Sequence, residues 1–285
     1  MTTTRTTAAR RYSLPFGDLL GQTLSIYFRN FVPFTVLGAV VMAPWAAVAL
    51  LIEPAKAAGM PRSTEDVLEL IAVQGGVFLL QQLLSFLLTG AVVYGVVQQM
   101  RGQQAGMGLS LQMGLRNLGR SLGTGLLVSL RLLLFSLPAA LVVLAASRVP
   151  GPIVMVLAFL VAFGLLVPVV MEFIRLYVAL PAAVMEEQGG GPAIARSKGL
   201  TDGSRWPIFG AVVVMGIATG MVTAMVLVPV ALMLDDPEGQ LPLLLTIALT
   251  VLSQGLAATM MAVTYFLLRR GKENADPAAL AAVFD

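Results

Sequence analysis

Few residues in this sequence are able to do chemistry inside an apolar environment. The chain has no His and no Cys, so it lacks the usual zinc ligands, the histidine of a catalytic triad and a thiolate nucleophile. The clearest remaining candidates are Arg131, Glu172 and Arg175, which interrupt long apolar runs. Ionisable residues inside a membrane span are energetically costly, and they are functional candidates for that reason.

Arg131 and the Glu172/Arg175 pair each allow two interpretations. Arg131 lies near mid-depth of its apolar run, where it would line a polar path, or its long side chain reaches toward the cytoplasmic headgroups. Glu172 and Arg175 are three residues apart on one helix face, so they are placed to pair. The pair would mark the inner mouth of a cavity, or it neutralises its own charge near the interface, which is the interpretation we prefer.

Three amide side chains also lie inside apolar runs. Gln81 and Gln82 belong to the second run and Gln254 to the sixth. Such amides hydrogen-bond across membrane helices for about 0.6 to 2 kcal/mol, so we expect them to hold helices together. In a transporter, Gln81 and Gln82 would instead line the path with Arg131 and Glu172.

Sequence motifs for catalysis and cofactor binding are absent. The sequence contains no Walker loop and no dinucleotide-binding glycine motif. No apolar run carries several acidic residues, as proton-coupled pumps and divalent-metal carriers commonly do. We therefore expect a protein without enzymatic activity, cofactor or metal.

The composition identifies the medium in which the protein folds. Of 285 residues, 58% are hydrophobic and only 12% are charged, whereas soluble domains are about 25% charged. This balance excludes a soluble globular enzyme and a nucleic-acid-binding module. The apolar runs show no strand-like alternation, so we predict an all-α polytopic integral membrane protein rather than a barrel.

Six apolar runs are long enough to cross the hydrocarbon core. We predict spans at about residues 31–52, 72–98, 122–146, 152–175, 207–234 and 241–268. Together they form a membrane domain over residues 15–272, with flexible cytoplasmic tails at 1–14 and 273–285. We expect the first run to be a retained span, because it is too long and too far from the first residue for a signal peptide.

Basic residues are distributed unevenly between the connections. Most of the 18 Lys and Arg residues fall before the first span, after the second, after the fourth and after the sixth. Under the positive-inside rule, this bias places both termini in the cytoplasm.

Similar segments precede spans one, three and five. They read LSIYFRNF, LQMGLRNL and LTDGSRWP, and each places a Leu five residues before an Arg. The three arginines are Arg29, Arg116 and Arg205. Their nearly equal separation predicts three tandem units, each an interfacial amphipathic helix followed by two spans. These arginines, with Trp206, would then lie at the level of the lipid headgroups.

Two stretches of the chain resemble a known family of bacterial membrane proteins. The first is FGDLLGQTLSIYFRNF at 16–31, and the second is LPAAVMEEQGGGPAIARSKGLTDGSRWPIF at 180–209. Both are similar to segments of the glycerophosphodiester phosphodiesterase membrane-domain family. The matching positions of the second stretch are Pro181, Glu186, Arg196, Ser197, Leu200, Arg205 and Trp206.

This resemblance implies a six-span protein of the bacterial inner membrane. It does not imply phosphodiesterase activity, which in the family's longer members belongs to a separate soluble barrel domain. That chemistry needs His residues and a carboxylate-bound metal, and this sequence has no His.

Two functions remain open at this point. The first is a non-enzymatic membrane domain that organises lipids or partner proteins, because a basic amphipathic inner face attracts anionic headgroups. The second is a transporter or permease for a small apolar or amphipathic solute. We expect membrane lipids as partners, together with either a protein partner or a second copy of the chain, and no nucleic acid.

Overall fold

The protein is helical throughout the part of the chain that the structure describes. The computed structural model describes residues 14–56, 64–100, 106–149, 151–234 and 240–273, and these ranges contain no strand. The helices are α1 (Phe16–Arg29), α2 (Phe31–Lys56), α3 (Thr64–Met100), α4 (Met107–Arg116), α5 (Leu118–Ala146), α6 (Pro152–Leu176), α7 (Ala179–Met185), α8 (Gly191–Thr201), α9 (Arg205–Met233) and α10 (Gln240–Glu273).

Six of these helices are long and apolar enough to cross a membrane, namely α2, α3, α5, α6, α9 and α10. The predicted all-α class with six spans is therefore confirmed. The largest difference is at α3, which begins at Thr64 and not near residue 72. Its first turn carries Glu65 and Asp66, and acidic side chains favour a helix N-terminus. The predicted tails at 1–14 and 273–285 lie outside the described residues, except for Leu14 and Glu273.

The buried core lies where α3, α7 and α10 meet. Leu88–Val96 of α3, every residue of α7 except Leu180, and most of Ala258–Leu268 of α10 are buried there. By contrast, α5, α6 and α9 expose apolar side chains over most of their length. Helices that are apolar on every side require either a protein core or lipid around them.

The helices form three units, α1–α3, α4–α6 and α8–α10, each with a short helix followed by two long helices. The short helix of each unit packs on the second long helix of the preceding unit. Helix α1 lies on α10, where Tyr27 covers Gly255 and donates a hydrogen bond of 3.1 Å to the carbonyl of Leu252. Helix α4 lies on α3, with Gly114 against Ala91. Helix α8 lies on α6. Because the first unit packs on the last, the three units close into a ring.

The predicted repeat appears as one short helix before each pair of long helices. Helices α1 and α4 end at Arg29 and Arg116. The next residue in each case is an Asn, and the side-chain amides of Asn30 and Asn117 donate to the carbonyl four residues earlier. The third unit departs from this pattern, since Arg205 begins α9 after a three-residue connection instead of ending α8. We call the surface formed by α1, α4 and α8 the short-helix face.

Candidate functional site

Three cations converge on the carboxylate of Glu172. Arg131 places Nη1 3.5 Å from Oε1, and Arg175 places Nη1 3.5 Å from Oε2. Lys198, which the sequence did not single out, places Nζ 2.8 Å from Oε1. The cluster thus joins α5, α6 and α8. We refer to these four residues as the Glu172 cluster.

The positions of three helices explain how the Glu172 cluster assembles. Helices α5 and α6 are joined by a short connection at 147–151 and pack along one another. Glu172 lies near the end of α6, beside the first half of α5. A helical side chain leans toward the N-terminus of its own helix, so Arg131 extends from the middle of α5 toward Glu172.

Helix α8 brings Lys198 to the cluster because it is hydrogen-bonded to the end of α6. The Ser197 hydroxyl donates to the carbonyl of Arg175 at 2.8 Å, and the Thr201 hydroxyl donates to the same carbonyl at 3.4 Å. These hydroxyls satisfy a carbonyl that the end of α6 would otherwise leave without a partner.

Glu172 is inside the protein, whereas its three partners reach the surface. The Glu172 side chain is 2% exposed, while those of Arg131, Arg175 and Lys198 are 45%, 36% and 36% exposed. Among the ion pairs of the described residues, Glu172 is the only carboxylate that these cations share. Three positive charges thus share one negative charge, and the Glu172 cluster carries a net charge of +2.

The guanidinium contacts to Glu172 are long. Charge-assisted N–H···O bonds usually span about 2.7 to 2.9 Å, so distances of 3.5 Å leave most guanidinium donors available. In addition, the Nε of Arg175 is buried and has no hydrogen-bond partner among the described residues. The cluster thus presents unsatisfied donors together with excess positive charge.

A second polar cluster is balanced in charge and ties α7, α8 and α10 together. Arg196 Nε lies 2.7 Å from Glu186 Oε1, and its Nη2 pairs with Glu273. Tyr265 donates to Glu186 at 2.8 Å, and Arg269 pairs with Glu273 at 3.2 Å. Burial alone would lower the pKa of the Arg196 guanidinium, but the hydrogen bonds that it donates to Glu186 and Glu273, together with the negative charges of these glutamates, raise this pKa. This cluster is a structural junction.

The connection between α8 and α9 is held by two cations. Lys272 Nζ donates to the carbonyl of Gly199 at 2.9 Å and to that of Asp202 at 2.5 Å. Arg205 pairs with the Asp202 carboxylate at 3.0 Å. A lysine that binds the last carbonyls of a helix also interacts favourably with the helix dipole.

Of the four residues expected at headgroup level, Arg29, Arg116 and Trp206 are exposed on or beside the short-helix face, whereas Arg205 is half-buried and pairs with Asp202. Arg29 and Arg116 are exposed and form no ion pair with a described residue. The apolar neighbours Phe28 and Leu115 are exposed as well. Trp206 is 81% exposed at the start of α9, where its ring packs edge-on against Phe209 with centroids 5.9 Å apart. Each of the two exposed arginines thus has an exposed apolar residue directly before it in the sequence.

The amides in the apolar runs do not join the Glu172 cluster. Gln81, Gln82 and Gln254 are half-buried on α3 and α10, and their side chains form no hydrogen bond with another described residue. A separate shallow cavity of about 280 Å³ lies between α1 and the end of α3, lined by Gly21, Gln22, Ser25, Ile26, Arg29 and Gln99. It shares no residue with the cluster.

The described residues contain no group of three or more acidic side chains that could hold a metal ion. Comparison with known proteins adds no ligand or activity. No protein-family model matches the chain, and neither a curated protein nor a solved structure is significantly similar to it.

Proposed function

We propose that this protein is a non-enzymatic membrane domain that gathers anionic lipids in the cytoplasmic membrane of a bacterium. One observation carries the proposal. Helices α1 and α4 each end in an exposed arginine next to an exposed apolar side chain, Arg29 beside Phe28 and Arg116 beside Leu115. Both arginines are without an acidic partner in the described part of the chain.

Such a surface suits the boundary between headgroups and acyl chains. Exposed apolar side chains insert below the headgroups, and each nearby Lys or Arg attracts anionic lipid by about 1 kcal/mol. The positive-inside rule assigns this surface, and both termini, to the cytoplasmic side. A protein partner or a second copy of the chain would then meet a surface already enriched in anionic lipid.

The resemblance to the glycerophosphodiester phosphodiesterase membrane-domain family implies six spans and does not imply phosphodiesterase activity. The permease hypothesis has less support from the geometry. Arg131 and Glu172 meet Lys198 in one cluster, and Gln81 and Gln82 lie elsewhere. A polar path lined by Arg131, Glu172, Gln81 and Gln82 together would have favoured the permease hypothesis.

Lipid retention tests the proposal directly. The full chain is reconstituted in vesicles of equal phosphatidylglycerol and phosphatidylcholine, extracted in mild detergent, and its retained phospholipids are counted by mass spectrometry. We expect the wild type to retain phosphatidylglycerol preferentially. The double substitution Arg29→Gln/Arg116→Gln should reduce this preference several-fold, since about 1 kcal/mol per cation corresponds to about fivefold.

Arg148→Gln provides the matched control. Arg148 is exposed between α5 and α6, away from the short-helix face, so its loss should leave the preference unchanged. Equal retention of both lipids by the wild type would refute the proposal. A tag at either terminus that is labelled only from outside the cell would refute the proposed orientation.

A further inference from the structure

We infer that the Glu172 cluster is a specific site for the phosphate of one anionic phospholipid. This inference rests on the proposed function and deepens it, because it assigns one bound lipid to named residues. The site comprises Arg131 of α5, Arg175 of α6 and Lys198 of α8, arranged around the buried carboxylate of Glu172.

Charge balance is the first reason. A single cation would neutralise Glu172, and Lys198 at 2.8 Å already has ordinary ion-pair geometry. Arg131 and Arg175 add two further positive charges next to a surface that is otherwise apolar. Charged groups at such a position are costly unless they are paired, so the surplus charge favours an anion from outside the described residues.

Donor geometry is the second reason. Each guanidinium has five N–H donors in a planar fork that matches the oxygens of a phosphate. Arg131 and Arg175 each direct one nitrogen to Glu172 at 3.5 Å and remain more than one-third exposed. The Nε of Arg175 is buried, but the exposed part of each guanidinium group leaves donors that a phosphate oxygen is able to reach from the surface.

The surroundings indicate a lipid and not a free phosphate ion. Leu127 and Leu134 lie four residues before and three residues after Arg131, on the same face of α5, and both are exposed. Met171, four residues before Arg175, is exposed on α6. Acyl chains attached to the bound phosphate would cover these side chains, whereas a free ion would leave them in contact with other molecules.

Glu172 positions the cations and does not itself bind the lipid. Its buried carboxylate holds three cationic side chains from three helices in one place. It also repels an approaching phosphate, so its charge sets an upper limit on affinity.

Native mass spectrometry of the full chain in detergent tests the inference by titration with phosphatidylglycerol. We expect one tightly bound phosphatidylglycerol and no comparable adduct with phosphatidylcholine. Arg131→Gln and Lys198→Gln should each weaken the first adduct about fivefold, the factor for about 1 kcal/mol per cation. Lys198→Arg keeps the charge and should retain binding, which separates loss of charge from loss of fold.

Arg116→Gln is the matched control on the short-helix face. It should lower the general preference for anionic lipid and leave the first adduct unchanged. If the cluster variants keep the first adduct while the wild type still prefers phosphatidylglycerol overall, the inference fails and the proposed function stands. If the wild type shows no such preference, both fail. If inorganic phosphate binds the wild type and binds the cluster variants more weakly, while phosphatidylglycerol does not bind, the assignment to a lipid is wrong.

Discussion

Replacing Gly114 with Ala tests the ring in which each short helix packs on the preceding unit. A methyl carbon at this position would lie 2.9 Å from Cβ, 3.2 Å from N and 3.3 Å from Cα of Ala91. Ala91 is fully buried on α3, and two of these three atoms belong to the backbone. No flexible side chain is therefore able to move aside.

The cost follows from these distances. Non-bonded carbon atoms prefer separations of about 3.5 to 4.0 Å, so α4 has to move away from α3 by roughly 0.6 to 1.1 Å. Overpacking of this kind costs about 1 to 3 kcal/mol. Up to about 1 kcal/mol is recovered because Ala favours the helix more than Gly does. Gly108 lies on the same helix with open space at its Cβ position, so Gly108→Ala gains the propensity without the clash.

Thermal unfolding of the purified variants in detergent measures the difference between them. Gly114→Ala should be less stable than Gly108→Ala by about 1 to 3 kcal/mol, with a lower midpoint for loss of the monodisperse species. If Gly114→Ala unfolds at the same temperature as Gly108→Ala or above it, α4 does not pack on α3 in the manner described.

Two substitutions test the polar junctions around α8. Glu186→Gln removes a charge that Arg196 binds at 2.7 Å and should cost about 1 to 3 kcal/mol in the same assay. The half-exposed Glu187→Gln should cost at most about 1 kcal/mol, and equal midpoints would contradict the junction. Lys272→Met removes the donor to two carbonyls and should speed limited proteolysis at residues 202–204. The exposed Arg270→Met is its control, and equal cleavage rates would show that the contact does not hold this connection.

The number and type of the long helices could be predicted because lipid imposes simple requirements. A span needs about 20 apolar residues, and its backbone must be hydrogen-bonded internally. These requirements depend on local sequence alone, so the runs beginning at Phe31 and Pro152 were identified at their first residue. Helix α7 was not predicted, because Ala179–Met185 continues the apolar run of α6 and only the turn at Tyr177 and Val178 separates the two helices.

The candidate site was predictable only in part. Arg131, Glu172 and Arg175 are conspicuous because charges are rare in apolar runs, and the i, i+3 spacing indicated the Glu172/Arg175 pair. Lys198 gave no such signal, since a basic residue is ordinary in a cytoplasmic connection. Its role depends on the packing of α8 against α6, through the hydrogen bond from Ser197 to the carbonyl of Arg175. That contact joins residues too far apart in sequence for a local pattern to reveal it.

The three units of the ring differ in where they place charge, and this difference bears on the role of the Glu172 cluster. Charged residues of the first and third units lie near the ends of α2, α3, α9 and α10, whereas the second unit carries Arg131 in the middle of α5 and Glu172 within α6. Two units therefore close the same ring without internal charge, so packing alone does not require it. Neutralising Glu172 would in turn require one cation, and three are present. Neither the packing of the ring nor the neutralisation of Glu172 requires the two additional positive charges, and an external anion is the partner that accounts for them.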